Sequence, residues 1–333
     1  MNKNTQVVPY QGNDKLLLGI VLGVITFWLF AQTTLNIAPT MQAELGITDN
    51  WRNIAVSITA LFSGIFIVVM GGLGDRIGRV KITILGTFLS IVGSLLIALT
   101  PAGTVNYLLA GRIIQGLSAA CIMPCTLALI KAYYDGPARQ RAVSFWSIGS
   151  WGGSGLCSLF GGFIASTIGW RWIFWMSIII SIISYLLIRG TPESKIVTTK
   201  QESFDWSGLT AFMVSMVAIN LVIGQGSKLG WTSTIILSLA ALFIVSFAIF
   251  IVSFLIFFKI EETKENAFVD FKLFNNKTYT GATLSNFLLN GAAGTIMVTL
   301  ALVQQAAGMS SLQAGMLTLG YLIAILATIR IGE

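Results

Sequence analysis

The sequence predicts an all-α polytopic membrane protein, and three observations carry that prediction. Of its 333 residues, 55% are hydrophobic and only 10% are charged, where a soluble domain carries roughly a quarter. Apolar stretches close to the ~20 residues needed to cross a bilayer recur along the whole chain. Between them the basic residues fall into an alternating, strongly one-sided pattern. A soluble globule of this size would lack the polar surface to cover itself.

A polar head, Met1–Asp14, precedes the first apolar stretch, Leu16–Ala38. That stretch is too long for a signal-peptide core and shows no small-residue cleavage site, so it reads as a retained first span. Further stretches follow at 53–70, 82–99, 107–130, 142–168, 173–188, 206–225, 232–258, 282–305 and 312–329, which makes ten expected transmembrane helices. With the N-terminus in the cytoplasm, 16 of the 20 Lys and Arg lie in cytoplasmic segments. Three, Arg52, Arg171 and Lys228, lie outside, and Arg112 falls within a span. Such a split is the positive-inside signature, and adding or removing one span midway would scramble it. The charged stretch Arg189–Asp205 and the long inner loop Lys259–Tyr279 divide the spans into six, two and two.

Several chemistries are excluded. The chain has no histidine, so His triads, His metal sites and His proton shuttles are absent. No carboxylate lies deep in any expected span, which argues against a membrane-embedded enzyme. Cys121, Cys125 and Cys157 all fall in apolar segments and read as small buried helix residues. The net charge of +7 follows from the cytoplasmic bias and implies no nucleic-acid partner.

Three segments stand out. Between the second and third spans runs Gly71-Gly72-Leu73-Gly74-Asp75-Arg76-Ile77-Gly78-Arg79. Its glycines allow a tight turn, while Asp75 and Arg79 can pair with each other or clamp a helix end. The fourth span carries Arg112, with Gln115 nearly one turn on. An arginine within a span costs roughly 2.5–3.5 kcal/mol on insertion scales, so it faces the bundle interior or snorkels to the surface. The fifth span is loaded with Gly149, Gly152, Gly153, Gly155, Gly161 and Gly162, as for a hinge or for close static packing. The turn after it, Gly169–Phe174, sets Trp170 and Trp172 where interfacial anchors sit. Polar and aromatic positions within spans are candidate cargo contacts: Trp28, Gln32, Asn36, Trp146, Trp151, Asn286 and Asn290. Plain helix–helix contact is the alternative for each.

These blocks, in this order, resemble the signatures of the major facilitator superfamily. Gly71–Arg79 is similar to its loop signature, Arg112–Gly116 to its fourth-span signature and the glycine-rich fifth span to its antiporter signature. The Trp170–Phe174 turn and Val269–Asn275 are similar to the fourteen-span drug:proton antiporter branch, and the whole chain to quinolone and multidrug efflux pumps of Gram-positive bacteria. The resemblance implies the major facilitator fold: a six-helix bundle over 1–190, a linking pair over 191–258 and the start of a second bundle over 259–333, with further spans after Glu333. It also implies alternating access driven by the proton gradient, with no cofactor and no metal. The partners would be amphipathic, often cationic drugs, protons and the bilayer of a bacterial cell membrane, around a monomer. Asp75, Arg79, Gly71 and Gly78 would serve the inner gate. Arg112, Gln115, Gly149, Gly153, Gly161 and Gly162 would serve coupling. The same fold could instead carry a metabolite, lipid or osmolyte, or be a truncated, non-transporting membrane protein.

Two departures bear on mechanism. Cys157 and Ser158 stand where the antiporter signature has Gly-Pro, and Ala31 stands where many fourteen-span relatives carry an acid. The titrating carboxylate is therefore expected after Glu333, because an arginine does not usefully deprotonate.

Overall fold

The computed structural model describes residues 10–195, 206–262, 275–320, 322–324 and 327. Among them the chain is helical, without strands, and each of the ten apolar stretches is built around a helix. Among the described residues, six candidate spans are long and apolar enough, by length and composition, to cross a membrane. The chain forms two compact units, Met1–Thr198 with Ala306–Glu333, and Thr199–Gln305.

The first unit opens with α1 (Asp14–Ile25), capped by the Asn13 side chain, which accepts from the Leu16 N–H at 2.8 Å. A π-helical turn, Thr26–Ala31, breaks the span before α2 (Thr34–Leu45). Pro39 inside α2 cannot donate to the preceding turn. Gly46 ends the helix at φ 65°, a left-handed conformation that suits glycine. Then come α3 (Asp49–Ile77), α4 (Arg79–Ala98) and α5 (Asn106–Tyr133). The fifth span is broken like the first: α6 (Gly136–Ser147), a π-helical turn Ile148–Gly152, and α7 (Gly153–Thr167). Helix α8 (Arg171–Ile188) completes the six spans.

Helix α5 packs between α3 and α4, α8 lies against α4 and α1, and α2 lies against α7. Since lipid tails are as apolar as leucine, burial from water does not drive these contacts; close packing and interhelical hydrogen bonds do. Gly93 and Gly111 face each other across α4 and α5, where either Cβ would meet the opposite carbonyl. Ser94 bonds Ser177 at 3.1 Å, Ser181 bonds Ser90 at 2.9 Å, and Ser184 donates to the Gly19 carbonyl at 2.7 Å. Ser118 donates to the Gly86 carbonyl at 2.7 Å. At about 0.6 kcal/mol each, these four bonds contribute about 2.4 kcal/mol.

Helix α12 (Ser311–Leu317) belongs to the same unit and packs on α7, with Gly315 against the backbone of Ser158 and Leu159. In the second unit α9 (Trp206–Leu229) and α10 (Thr234–Glu262) form a helical hairpin, turned at Gly230 and joined by Phe212 against Phe250. Helix α11 (Lys277–Ala306) follows. The Val269–Asn275 block lies outside the described residues up to Asn275.

Trp170 is not the outward-facing anchor that its place in the turn suggests. It is 1% exposed, because its ring packs in a core cluster against Phe174 while its indole N–H donates to the exposed Glu44. Trp172 is exposed.

Candidate functional site

The site is organised by Arg112, which is 2% exposed. Its Nε donates to the Ala55 carbonyl at 2.8 Å, and one terminal nitrogen donates to the Ala31 carbonyl at 2.8 Å and to Gln115 Oε1 at 2.9 Å. The second terminal nitrogen sits 3.5 Å from the Val56 carbonyl. Hydrogen bonds from a charged donor are worth about 1.5–3 kcal/mol each. Three good ones offset the cost of holding a guanidinium at membrane depth. The side chain thus faces the bundle interior rather than snorkelling.

The broken first helix makes this possible. After the π turn the Leu35 N–H bonds the Gln32 carbonyl at 3.1 Å rather than that of Ala31, which leaves the Ala31 oxygen for Arg112. A π turn is often found where a helix serves a function. Gln115 passes the connection on, donating from Nε2 to Ser94 Oγ at 3.2 Å, and Ser94 bonds Ser177. Thr59 donates to the carbonyl of Arg112 itself at 2.8 Å. One hydrogen-bonded chain therefore joins the first span to α3, α5, α4 and α8, and every partner of the guanidinium is uncharged.

The fifth span meets the first through missing side chains. A Cβ at Gly149 would press on Val21, one at Gly153 on Trp28, and one at Gly161 on the Thr33 methyl. Gly162 is buried in the same helix. Thr33 Oγ1 donates to the Cys157 carbonyl at 2.9 Å and Asn36 Nδ2 to the Ser158 carbonyl at 2.9 Å. The two residues that stand in place of Gly-Pro are thus the ones whose carbonyls bind the first span. Of the remaining candidates, Gln32, Trp28, Trp146 and Trp151 are half-buried. Trp146 donates from Nε1 to Thr126 Oγ1 at 3.0 Å. Asn286 and Asn290 lie on α11 in the other unit, exposed and bonded to each other.

At one end of the bundle Asp75 and Arg79 form an ion pair, with Nε and a terminal nitrogen both 2.8 Å from Asp75 Oδ1. The clamp on the helix end comes from elsewhere. Glu193 accepts from the backbone N–H of Val80 at 2.8 Å and of Lys81 at 3.2 Å, placing a carboxylate on the positive N-terminus of α4. Arg79 reaches on to Ser194 Oγ at 3.2 Å, and the Tyr133 hydroxyl donates to the Pro192 carbonyl. Gly78 turns the loop at φ 138°, and a Cβ there would fall on the Glu193 carboxylate. Gly71 lets Pro124 of α5 approach. Nearby, Tyr134 donates to the Asn13 carbonyl at 2.7 Å, and burial, with Tyr10 and Asp14 adding to it, pushes its phenol up to about 12. At the opposite end Glu44 holds both Arg171 and the Trp170 N–H at 2.6 Å, and Arg171 lies 4.3 Å over the Trp170 ring.

Sequence reasoning missed Glu193, Ser94 and Glu44. Glu193 lay inside a stretch read only as charged linker, and Glu44 at a span end without a visible partner.

The profile of the Major Facilitator Superfamily matches residues 20–264. The chain belongs to that superfamily. Superfamily members in Staphylococcus aureus strains MRSA252 and Newman, each named "Quinolone resistance protein NorB", are 53% identical over 324 residues, covering 97% of this chain and 68% of theirs. Among solved structures, a POT peptide transporter bound to sulfate matches with a TM-score of 0.50 at 15% identity, covering 68% of this chain. An auto-inhibited POT family peptide transporter matches at 0.50 and 14%, covering 72% of this chain. The chain spans about half the length of these transporters, 49% and 50%. At such identity the likeness speaks for the superfamily fold alone.

Proposed function

We propose that the chain is part of a bacterial cell-membrane exporter of amphipathic drugs, quinolones among them, that works by proton antiport and alternating access. The observation that carries this reading is Arg112, buried at the break in the first helix and bound only to uncharged groups of its neighbours. Intramembrane charge of this kind marks a transport site more often than a packing element. The relatives named for quinolone resistance support the cargo.

In this reading the N-terminus is cytoplasmic. The Asp75–Arg79 pair and Glu193 close the inner end, the Glu44–Arg171 pair serves the outer end, and rocking is accommodated where the glycines of the fifth span meet the first. The proton is carried by a carboxylate of the second bundle in this reading, since the described partners of Arg112 are all uncharged. Energised inverted vesicles bearing the full chain test the proposal. Adding a quinolone or a cationic dye is expected to release protons from the lumen. A panel of both that releases none would refute drug:proton exchange.

A further inference from the structure

The first span holds two buried side-chain polar atoms without a hydrogen-bond partner, the Trp28 indole N–H and the Thr34 hydroxyl; among the described residues these are the ones found. They flank Ala31, whose carbonyl binds Arg112. A hydroxyl can turn back to a carbonyl of its own preceding turn. An indole N–H donates only, and along one fixed direction. This fold satisfies indoles elsewhere: Trp146 donates to Thr126 at 3.0 Å and Trp170 to Glu44 at 2.6 Å. Trp28 has no such partner, and a buried unpaired donor calls for an explanation.

The ring is also held in place. Its Cβ would stand 3.2 Å from a Cβ at Gly153, a tight approach, and Phe27 meets the ring edge-on at 5.2 Å. It packs on a cluster containing Phe27 and Met123, against which Ile67 and Trp146 also pack. A fixed donor among flat, apolar and polarisable groups suits one kind of guest, an aromatic molecule with an oxygen acceptor on its edge.

We propose that the Trp28 N–H is a specificity-determining donor that takes a carbonyl or carboxylate oxygen of a planar aromatic cargo. This rests on the transport reading above and narrows the cargo within it.

The test compares the full chain with Trp28→Phe, which keeps an aromatic ring and removes the donor. Two probes are measured by equilibrium dialysis on purified protein: norfloxacin, which carries a keto-acid edge, and tetraphenylphosphonium, which has no acceptor. The expected result is norfloxacin binding weakened about tenfold, tetraphenylphosphonium binding changed less than twofold, and an unliganded melting temperature that is unchanged or higher. Trp28→Met fills the site without a donor and decides the matter if the Phe variant does not fold; it should show the same selective loss. Equal weakening of both probes, or undiminished norfloxacin binding, overturns the proposal. If the unmutated chain binds neither probe, the transport reading itself has failed, a result distinct from loss of selectivity.

Discussion

Glu193 shows how much one side chain can hold at the end of a bundle. Its carboxylate meets two N–H groups of the first turn of α4 and lies over Gly78, so the segment after α8 is tied to the loop before α4. Because Glu193 is exposed, water screens part of the gain, and the cap is worth about 0.5–1 kcal/mol. Glu193→Gln should lower the stability of the first unit by about that amount and speed amide exchange at Val80 and Lys81. Unchanged exchange at both would show that the cap does not form. Asp75–Arg79 was readable from spacing, since residues four apart on a turn-to-helix junction are neighbours. So was the Arg112–Gln115 bond. Glu193 was not, because its partner helix begins more than a hundred residues earlier and only the folded chain brings them together.

At the scale of elements, the fifth span is the one whose sequence and structure speak most directly to each other. Its glycines lie on two faces. Gly149, Gly153 and Gly161 admit the first span, while Gly155 admits Leu322 of the last helical segment. Gly161→Val should force Thr33 away and weaken both side-chain bonds to the Cys157 and Ser158 carbonyls. The expected loss is about 1–3 kcal/mol. Gly64→Ala, where a Cβ meets nothing within 4 Å, should melt with the parent protein. Equal melting of all three would show that α2 and α7 are not in close contact. The break in the fifth span falls within the glycines that read as a hinge, but the break in the first span was not legible. Hydropathy is continuous through 16–38 and through 142–168, and a one-residue slip of the backbone leaves no mark in an apolar run. The burial of Trp170 was not legible for a related reason: an aromatic at a span end gives no sign of which neighbours will cover it.

For the whole molecule, the all-helical membrane character was legible because it depends on composition, segment length and charge bias, all of which are additive along the chain. The superfamily was legible from the ordered signature blocks, and six of the ten expected spans qualify by length and composition among the described residues. The hydrogen-bonded chain through Arg112 was not legible, since its members come from five helical segments. Orientation can be read directly. All three native thiols are buried, so background labelling should be low. An impermeant maleimide applied to intact cells should modify Ala102→Cys, and should reach Lys131→Cys only after the membrane is opened. The reverse order would invert the proposed topology.

Arg112 has one more effect, and it acts at a distance. Among the described residues its positive charge is bound by dipoles, with no carboxylate among its hydrogen-bond partners to cancel its field. At an effective dielectric of 20, a monovalent cation about 8 Å away would feel about 2 kcal/mol of repulsion. A zwitterion turning its anionic edge inward would feel attraction instead. Between two molecules of equal size and greasiness that come this close to Arg112, its field alone would favour the zwitterion, so a permanent cation is accommodated farther from it.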